Sequence, residues 1–182
     1  MKIALTGGIA CGKSLASEYL RQLGFELIDA DDVVHELVPD AAERRRIAAE
    51  VFADPVKRAE LEGRVHPLVA NRIDEFFARP GQSALRIAVI PLLFEVHWEA
   101  KYDIICAVVS KREIQVERMM TTRGYTRDEA EARLAAQLPV EVKAEKSHYV
   151  IENNGTTAEL KTGVDRFVSW LKQTIANDSK NL

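Results

Sequence analysis

Residues 7–14 form the first group whose types and spacing fit a chemical task, and they read Gly-Gly-Ile-Ala-Cys-Gly-Lys-Ser. The order matches the phosphate-binding pattern of a glycine, four residues, a second glycine, a lysine and a hydroxyl residue. In such a loop, backbone amides and a helix N-terminus surround a phosphate. Lys13 would neutralise the β- and γ-phosphates, and the Ser14 hydroxyl would coordinate Mg²⁺. The alternative is a glycine-rich turn with a chance lysine.

An acidic group follows the second apolar segment, and it contains Asp29, Asp31 and Asp32. In a parallel sheet these residues would emerge at the same edge as the phosphate loop. A carboxylate there can hold Mg²⁺, or it can accept the proton of a hydroxyl that attacks the γ-phosphate. The alternative role is capping of a helix over 32–38 by Asp31 or Asp32, and both roles can hold together.

A basic group lies in 111–127 and outnumbers the two glutamates there; it consists of Lys111, Arg112, Arg118, Arg123 and Arg127. An arginine that arrives with closure of a lid stabilises the charge on a transferring phosphoryl group. Arg123, which precedes Gly124, is the first candidate for that role, and Arg118 is the second. For either arginine, a place on a solvated helix face is the alternative.

The elements that must position these groups are strands alternating with helices. Apolar segments predict five strands, at 2–6, 25–30, 85–90, 104–109 and 149–152. Hydroxyl and glutamate residues at capping-box spacing predict helix starts after Ser110, Thr126 and Thr156. Such nearly continuous apolar strands are typical of a parallel sheet covered on both faces, so the predicted fold class is α/β, doubly wound.

Two segments interrupt this alternation. Residues 40–79 contain two or three helical stretches, punctuated by Pro55 and Pro67, and predict a helical insertion at one edge of the sheet. A second insertion is predicted over 121–147. At 182 residues the chain is expected to form one domain that carries these additions.

Composition excludes several classes of protein. A chain with 47% hydrophobic and 29% charged residues can bury a core. Its net charge of −3 argues against a general nucleic-acid binder, and no apolar run reaches the roughly 20 residues of a membrane span. The two cysteines, Cys11 and Cys106, indicate reduced thiols in the cytoplasm. The four histidines have no zinc-ligand spacing.

The motifs, taken in order, resemble those of dephospho-CoA kinases. Beyond the phosphate loop, the matching segments are Ile-Asp-Ala-Asp at 28–31, His-Pro-Leu at 66–68, Pro-Leu-Leu-Phe-Glu at 91–95, Ala-Gln at 136–137 and Val-Ile-Glu-Asn-Asn-Gly at 150–155. The loop alone is shared with many nucleotide kinases, whereas this conjunction is much more specific and spans nearly the whole chain.

The resemblance implies a P-loop kinase that transfers the γ-phosphate of ATP to the ribose 3′-hydroxyl of dephospho-CoA. It implies that Asp31 is the base and that Arg118 and Arg123 belong to a lid over 118–147. Residues 40–79 would help to bind the acceptor. The implied ATP-binding residues are Gly8, Ala10, Cys11, Gly12, Lys13, Ser14 and Leu15, with Asn153, Asn154 and Gly155 near the adenine. Mg²⁺ would be held by Ser14, with Asp31 as a second candidate ligand.

The chain departs from the family pattern at three places. Cys11 stands where serine is usual and Leu15 where threonine is common, but the backbone amides, Lys13 and Ser14 remain. An acid-rich stretch between the helix near 41–52 and the helix that leads to 66–67 is missing. The third strand ends in Val-Ile before Pro91, so it offers no aspartate as a metal ligand.

Two other functions stay open from the residues alone. One is a kinase of the same fold that acts on another nucleoside or nucleotide. The other is a nucleotide-binding switch without acceptor turnover. Cys11 is expected to have a lowered thiol pKa, because it lies at a helix N-terminus, or else to be an inert buried thiol.

Overall fold

The computed structural model describes residues 1–37, 40, 42, 46–47, 54–80 and 85–178. The strands within these ranges are β1 (Ile3–Gly7), β2 (Glu26–Asp29), β3 (Arg86–Val89), β4 (Ile104–Val109) and β5 (Tyr149–Glu152). The helices are α1 (Lys13–Gln22), α2 (Ala30–Leu37), α3 (Pro55–Ala78), α4 (Arg112–Arg123), α5 (Arg127–Ala135), α6 (Val140–Glu145) and α7 (Thr157–Asp178). A short 3₁₀ helix covers Glu99–Lys101.

The five strands form one sheet in the order β2-β3-β1-β4-β5, and every neighbouring pair is parallel. The five predicted strands are therefore confirmed: the last two have the predicted ends, and each end of the first three is shifted by one residue. Ala30, predicted as the end of the second strand, is the first residue of α2. The parallel arrangement brings the carboxyl ends of all strands to the same end of the sheet. In this order β1 is the central strand and β2 is an outermost strand.

Helices cover both faces of the sheet. On one face, α1 and α7 bury Leu20 and Phe167 against Leu5 and other central strand residues. On the opposite face, α2 and α3 bury Val33 and Ile73. All these side chains are under 5% exposed. Two buried faces explain why the strands are apolar at nearly every position, and the predicted α/β class is confirmed.

The long helix α3 is capped at its N-terminus by Asp54, whose carboxylate accepts hydrogen bonds from the amides of Val56 and Lys57. It runs on through Pro67, so the expected break there is wrong. Proline removes one helical hydrogen bond, but burial of Val69 and the following apolar turns against the sheet keeps the helix continuous. The earlier helical stretches predicted for 40–79 lie largely outside the described residues.

A helix begins after each of the three predicted starts, but only two of the three predicted capping boxes are confirmed. Thr126 and Glu129 form a reciprocal capping box, and Thr156 and Glu159 make the same bonds. Ser110 is different, because its hydroxyl donates to the carbonyl of Asn153 at 2.6 Å. Among the described residues, no helix is both long and apolar enough to cross a membrane.

Candidate active site

The phosphate loop follows β1 directly, and its glycines are required by close backbone contacts. A Cβ on Gly7 would lie 2.0 Å from the carbonyl oxygen of Val108 in the neighbouring strand. Gly12 has φ of 91°, and a Cβ there would lie 2.3 Å from Nδ2 of Asn153. Ala10 also has a positive φ, 57°, which is unfavourable for a residue with a side chain. The loop is therefore held in a conformation that the surrounding structure imposes.

Lys13 is the first residue of α1, and its side chain folds back over the loop. Its Nζ donates hydrogen bonds to the carbonyl oxygens of Gly7 at 2.9 Å and Gly8 at 2.7 Å. Burial lowers the pKa of Lys13 to about 8, because removal from water disfavours the ammonium form. A bound phosphate would add opposite charge beside this partly buried ammonium.

The acidic group lies at the start of α2. The carboxylate of Asp29 accepts a hydrogen bond from the amide of Asp31 at 2.9 Å. The helix N-terminus is therefore capped by Asp29, and the expected capping by Asp31 or Asp32 is wrong because the helix begins two residues earlier than predicted. Burial raises the pKa of Asp29. Asp31 is exposed, and its carboxylate is left to face the cleft.

The basic residues of 111–127 divide into paired and unpaired groups. Arg112 and Arg127 both form ion pairs with Glu131 on α5. The guanidinium of Arg118 lies within 3.5 Å of four acceptors: the carbonyls of Ala10 and Gly155, the Ser110 hydroxyl and the Asn153 amide oxygen. Arg123 is exposed at the end of α4, beside the cleft, and has no ion pair among the described residues.

Asn153 connects the end of β5 to the phosphate loop. Its side-chain Nδ2 donates to the carbonyl of Cys11 at 2.9 Å, and its backbone N–H donates to the carbonyl of Val109. It is only 4% exposed. Asn154 instead accepts a hydrogen bond from the amide of Lys111. Residues 153–155 thus form one wall beside the loop.

These elements enclose a cleft of about 680 Å³ at the carboxyl edge of the sheet. The predicted site residues that line it are Ala10, Gly12, Lys13, Ser14, Leu15, Asp31, Arg118, Arg123, Asn153 and Gly155. Gly8, Cys11 and Asn154 are not on its surface. Seven residues that sequence reasoning assigned to no site complete the wall: Ile9, Pro91, Thr122, Gln137, Thr156, Thr157 and Leu160. The matching segments 91–95 and 136–137 were the signal that could have found two of these.

The side chain of Cys11 points into the core and is fully buried. Burial raises the pKa of its thiol despite the nearby Lys13, so the expected lowering is wrong. We therefore expect Cys11 in the folded protein to resist iodoacetamide, since the reactive form is the thiolate. Mass spectrometry of the peptide would measure the labelled fraction, with guanidinium-unfolded protein as the fully reactive control. Rapid labelling of Cys11 in the folded protein would contradict its position in the core.

The parallel sheet, the phosphate loop at its central strand and the lysine that starts α1 define a P-loop kinase. A model of the family described as dephospho-CoA kinase matches residues 1–44 and 40–159. The dephospho-CoA kinase of Geobacter sulfurreducens is 37% identical, covering 94% of this chain and 98% of the relative. That of Anaeromyxobacter dehalogenans is 38% identical over 93% of this chain and 92% of the relative. The chain belongs to the dephospho-CoA kinase family.

Solved structures share the fold of this chain. A Thermus thermophilus protein superposes with a TM-score of 0.79 at 32% identity, covering 94% of this chain and 97% of that one. The dephospho-CoA kinase of Campylobacter jejuni gives a TM-score of 0.70 at 24% identity, over 96% and 99% of the two chains. A shikimate kinase from Acinetobacter baumannii shares the fold, with a TM-score of 0.66 at 16% identity over 95% and 93%.

The family model matches this chain in two segments, and the alignment with one relative is longer than the chain. The two matched segments meet at residues 40–44. The alignment with the Geobacter protein spans 194 residues, more than the 182 of this chain. The relative therefore carries residues that this chain lacks.

Proposed function

We propose that this protein transfers the γ-phosphate of ATP to the ribose 3′-hydroxyl of dephospho-CoA, giving CoA and ADP, the last step of CoA biosynthesis. The observation that carries the proposal is that one cleft, in a chain of this family, brings together Lys13, Asp31 and Arg123. Phosphoryl transfer needs charge neutralisation and positioning more than covalent chemistry. Lys13 and Arg123 would supply the positive charge, and Asp31 would supply the carboxylate.

The phosphate loop is the donor half of the site. The backbone amides of 10–15 would surround the phosphates of ATP. Gly8 and Cys11 would contribute backbone groups only, because the side chain of Cys11 is buried in the core. Lys13 would move its ammonium from the carbonyls of the loop to the phosphates. Binding of the phosphates would then raise the Lys13 pKa back toward its ordinary value, since an opposite charge favours the ammonium.

Asp31 is the base in this proposal. The bond from its amide to Asp29 holds the first turn of α2, and Asp31 lines the same cleft as Lys13. A carboxylate at that position can accept the proton of the 3′-hydroxyl as the oxygen attacks phosphorus. Asp29 is engaged in capping and is therefore the second choice for the base.

The two arginines take different parts. Arg123, at the end of α4 and without an ion pair among the described residues, is the proposed lid cation over the transferring phosphoryl group. The guanidinium of Arg118 donates to the carbonyl of Ala10 in the loop and to that of Gly155. Arg118 would therefore connect the phosphate-binding part of the ATP site with the part near the adenine. We retain 118–147 as the proposed lid, and Asn153, Asn154 and Gly155 as the residues near the adenine.

The donor chemistry of the cleft fits Mg²⁺, which prefers oxygen ligands and is commonly held by few protein groups together with phosphates and water. Ser14 offers a hydroxyl and Asp31 a carboxylate on the same surface. No cluster of three or more acidic, His or Cys side chains suited to a metal occurs in the described part of the chain. Ser14 would hold the ion, which would neutralise phosphate charge, and Asp31 is the second candidate ligand.

The acceptor segment and the location complete the proposal. Residues 40–79 would help to bind dephospho-CoA, and of these α3 packs beside α2, which carries Asp31. Two free, buried cysteines support a cytoplasmic enzyme.

Coupled release of ADP tests the function, with ATP and Mg²⁺ and with dephospho-CoA, AMP, CMP, adenosine or no acceptor. We expect release to depend on dephospho-CoA, and mass spectrometry to identify CoA as product. An Asp31→Asn preparation, purified in parallel, controls for contaminating kinases. Release with another nucleotide instead would indicate a different kinase of this fold. Slow release that no acceptor changes would indicate a nucleotide-binding switch.

A further inference from the structure

Two glutamines from outside the loop hold the peptide groups on either side of Ile9. Oε1 of Gln137 accepts a hydrogen bond from the Ile9 amide at 3.2 Å. Nε2 of Gln115 donates to the Ile9 carbonyl at 2.6 Å. Gln115 lies on α4 and is 2% exposed, whereas Gln137 lies between α5 and α6 and borders the cleft. The first half of the phosphate loop is therefore held by Gln115 on α4 and, through Gln137, by the segment that we propose as the lid.

The segment that carries Gln137 is anchored by a buried ion pair. Nζ of Lys143 lies 2.7 Å from Oε1 of Glu95, and the side chain of Lys143 is fully buried. The same carboxylate oxygen accepts the amide of Leu138, the residue after Gln137, at 3.0 Å. Lys143 also donates to the carbonyl of Pro91 in the cleft wall at 2.9 Å. A buried charge pair tolerates little displacement of either partner, so these contacts fix the backbone beside Gln137.

The loop needs such support because of its conformation. Ala10, which follows Ile9, holds a positive φ that costs energy for a non-glycine residue. The hydrogen bonds to the amide and to the carbonyl of Ile9 oppose relaxation of Ala10 toward an ordinary backbone conformation. Without these two hydrogen bonds, the backbone amides of the residues after Ile9 would no longer all point toward the bound phosphates.

We propose that Gln137 is a positioning residue, which holds the Ile9 peptide so that the phosphate loop keeps its ATP-binding shape. The inference rests on the proposed function for the identity of the nucleotide, but not for that of the acceptor. Gln137 touches the loop rather than the reacting atoms. Its loss should therefore weaken binding of ATP, whose phosphates the loop would hold, and spare binding of the acceptor at the other half of the site.

The test is Gln137→Met, which keeps the length of the side chain and removes the acceptor oxygen. The Kd for ATP, measured by calorimetry without acceptor, is expected to rise about fivefold, the usual effect of one lost hydrogen bond. The Kd for dephospho-CoA should stay within about twofold, and the Tm within about 2 °C. Gln22→Met, a matched change on the exposed surface of α1, should alter none of these.

Hydrogen exchange of the peptide that contains 7–12 gives a readout that needs no ligand. Exchange should be faster in Gln137→Met than in the parent protein, and unchanged in Gln22→Met. An unchanged Kd for ATP would overturn the inference, as would equal losses of ATP affinity, acceptor affinity and Tm, which a merely structural role predicts. If the parent protein binds ATP but does not phosphorylate dephospho-CoA, the proposed function fails, and the ATP titration still decides the role of Gln137.

Discussion

Replacement of Asp31 by asparagine is expected to lower kcat by about two to four orders of magnitude, the usual contribution of a positioned general base. Asparagine keeps the size and the helix position of the side chain but cannot accept the proton of the attacking hydroxyl. In the proposed site the loop supplies most of the contacts to ATP, so the KM for ATP should change by no more than about threefold. Steady-state kinetics of ADP release, with both substrates varied, measures both quantities.

Asp32 provides the matched control for this experiment. It is the next residue on the same turn of α2 and is exposed, but it does not border the cleft. Asp32→Asn should therefore retain nearly full activity. If Asp31→Asn also retained nearly full turnover, Asp31 could not be the base, and Asp29→Asn would be the next variant to measure.

Replacement of Lys13 by methionine is expected to abolish most activity and to remove the pH dependence of ATP binding. Loss of one electrostatic partner of the transition state costs about two to three orders of magnitude in kcat. In the parent protein the ammonium is the form that attracts phosphate, and burial lowers the Lys13 pKa to about 8. The parent protein should therefore lose ATP affinity as the pH rises through that value.

Titration of ATP binding between about pH 7 and pH 10 checks the second expectation, since the carboxylates titrate well below this range. The affinity of Lys13→Met should be low and nearly constant across the range. Lys172→Met, on the exposed surface of α7, is the control and should follow the parent curve. An unaltered pH profile in Lys13→Met would show that another group governs ATP binding.

Local patterns were sufficient to predict the sheet and the loop. The apolar strands and the spacing from Gly7 to Ser14 are both properties of short segments, and both describe the structure correctly. The same was true of the capping box at Thr126, where all partners lie within three residues. The acidic and basic candidates also reached one cleft, because parallel strands share their carboxyl edge.

Long-range contacts account for what the patterns missed. Ser110 has the spacing of a capping box, but a bond to Asn153, 43 residues away, uses its hydroxyl instead. Cys11 lies at a helix N-terminus, but its burial in the core outweighs that position. Gln115 and Gln137 reach Ile9 across 106 and 128 residues. No local signal in a single sequence specifies such pairings.

The strand order has a consequence for the independence of the two halves of the site. The donor half follows β1, which has a hydrogen-bonded neighbour on each side, whereas Asp31 follows β2, an edge strand paired only with β3. Local unfolding is easier at such an edge than at the centre of a sheet. We therefore expect the β2–α2 unit to open briefly while β1 and the phosphate loop stay folded, so that the proposed acceptor side would fluctuate without release of ATP.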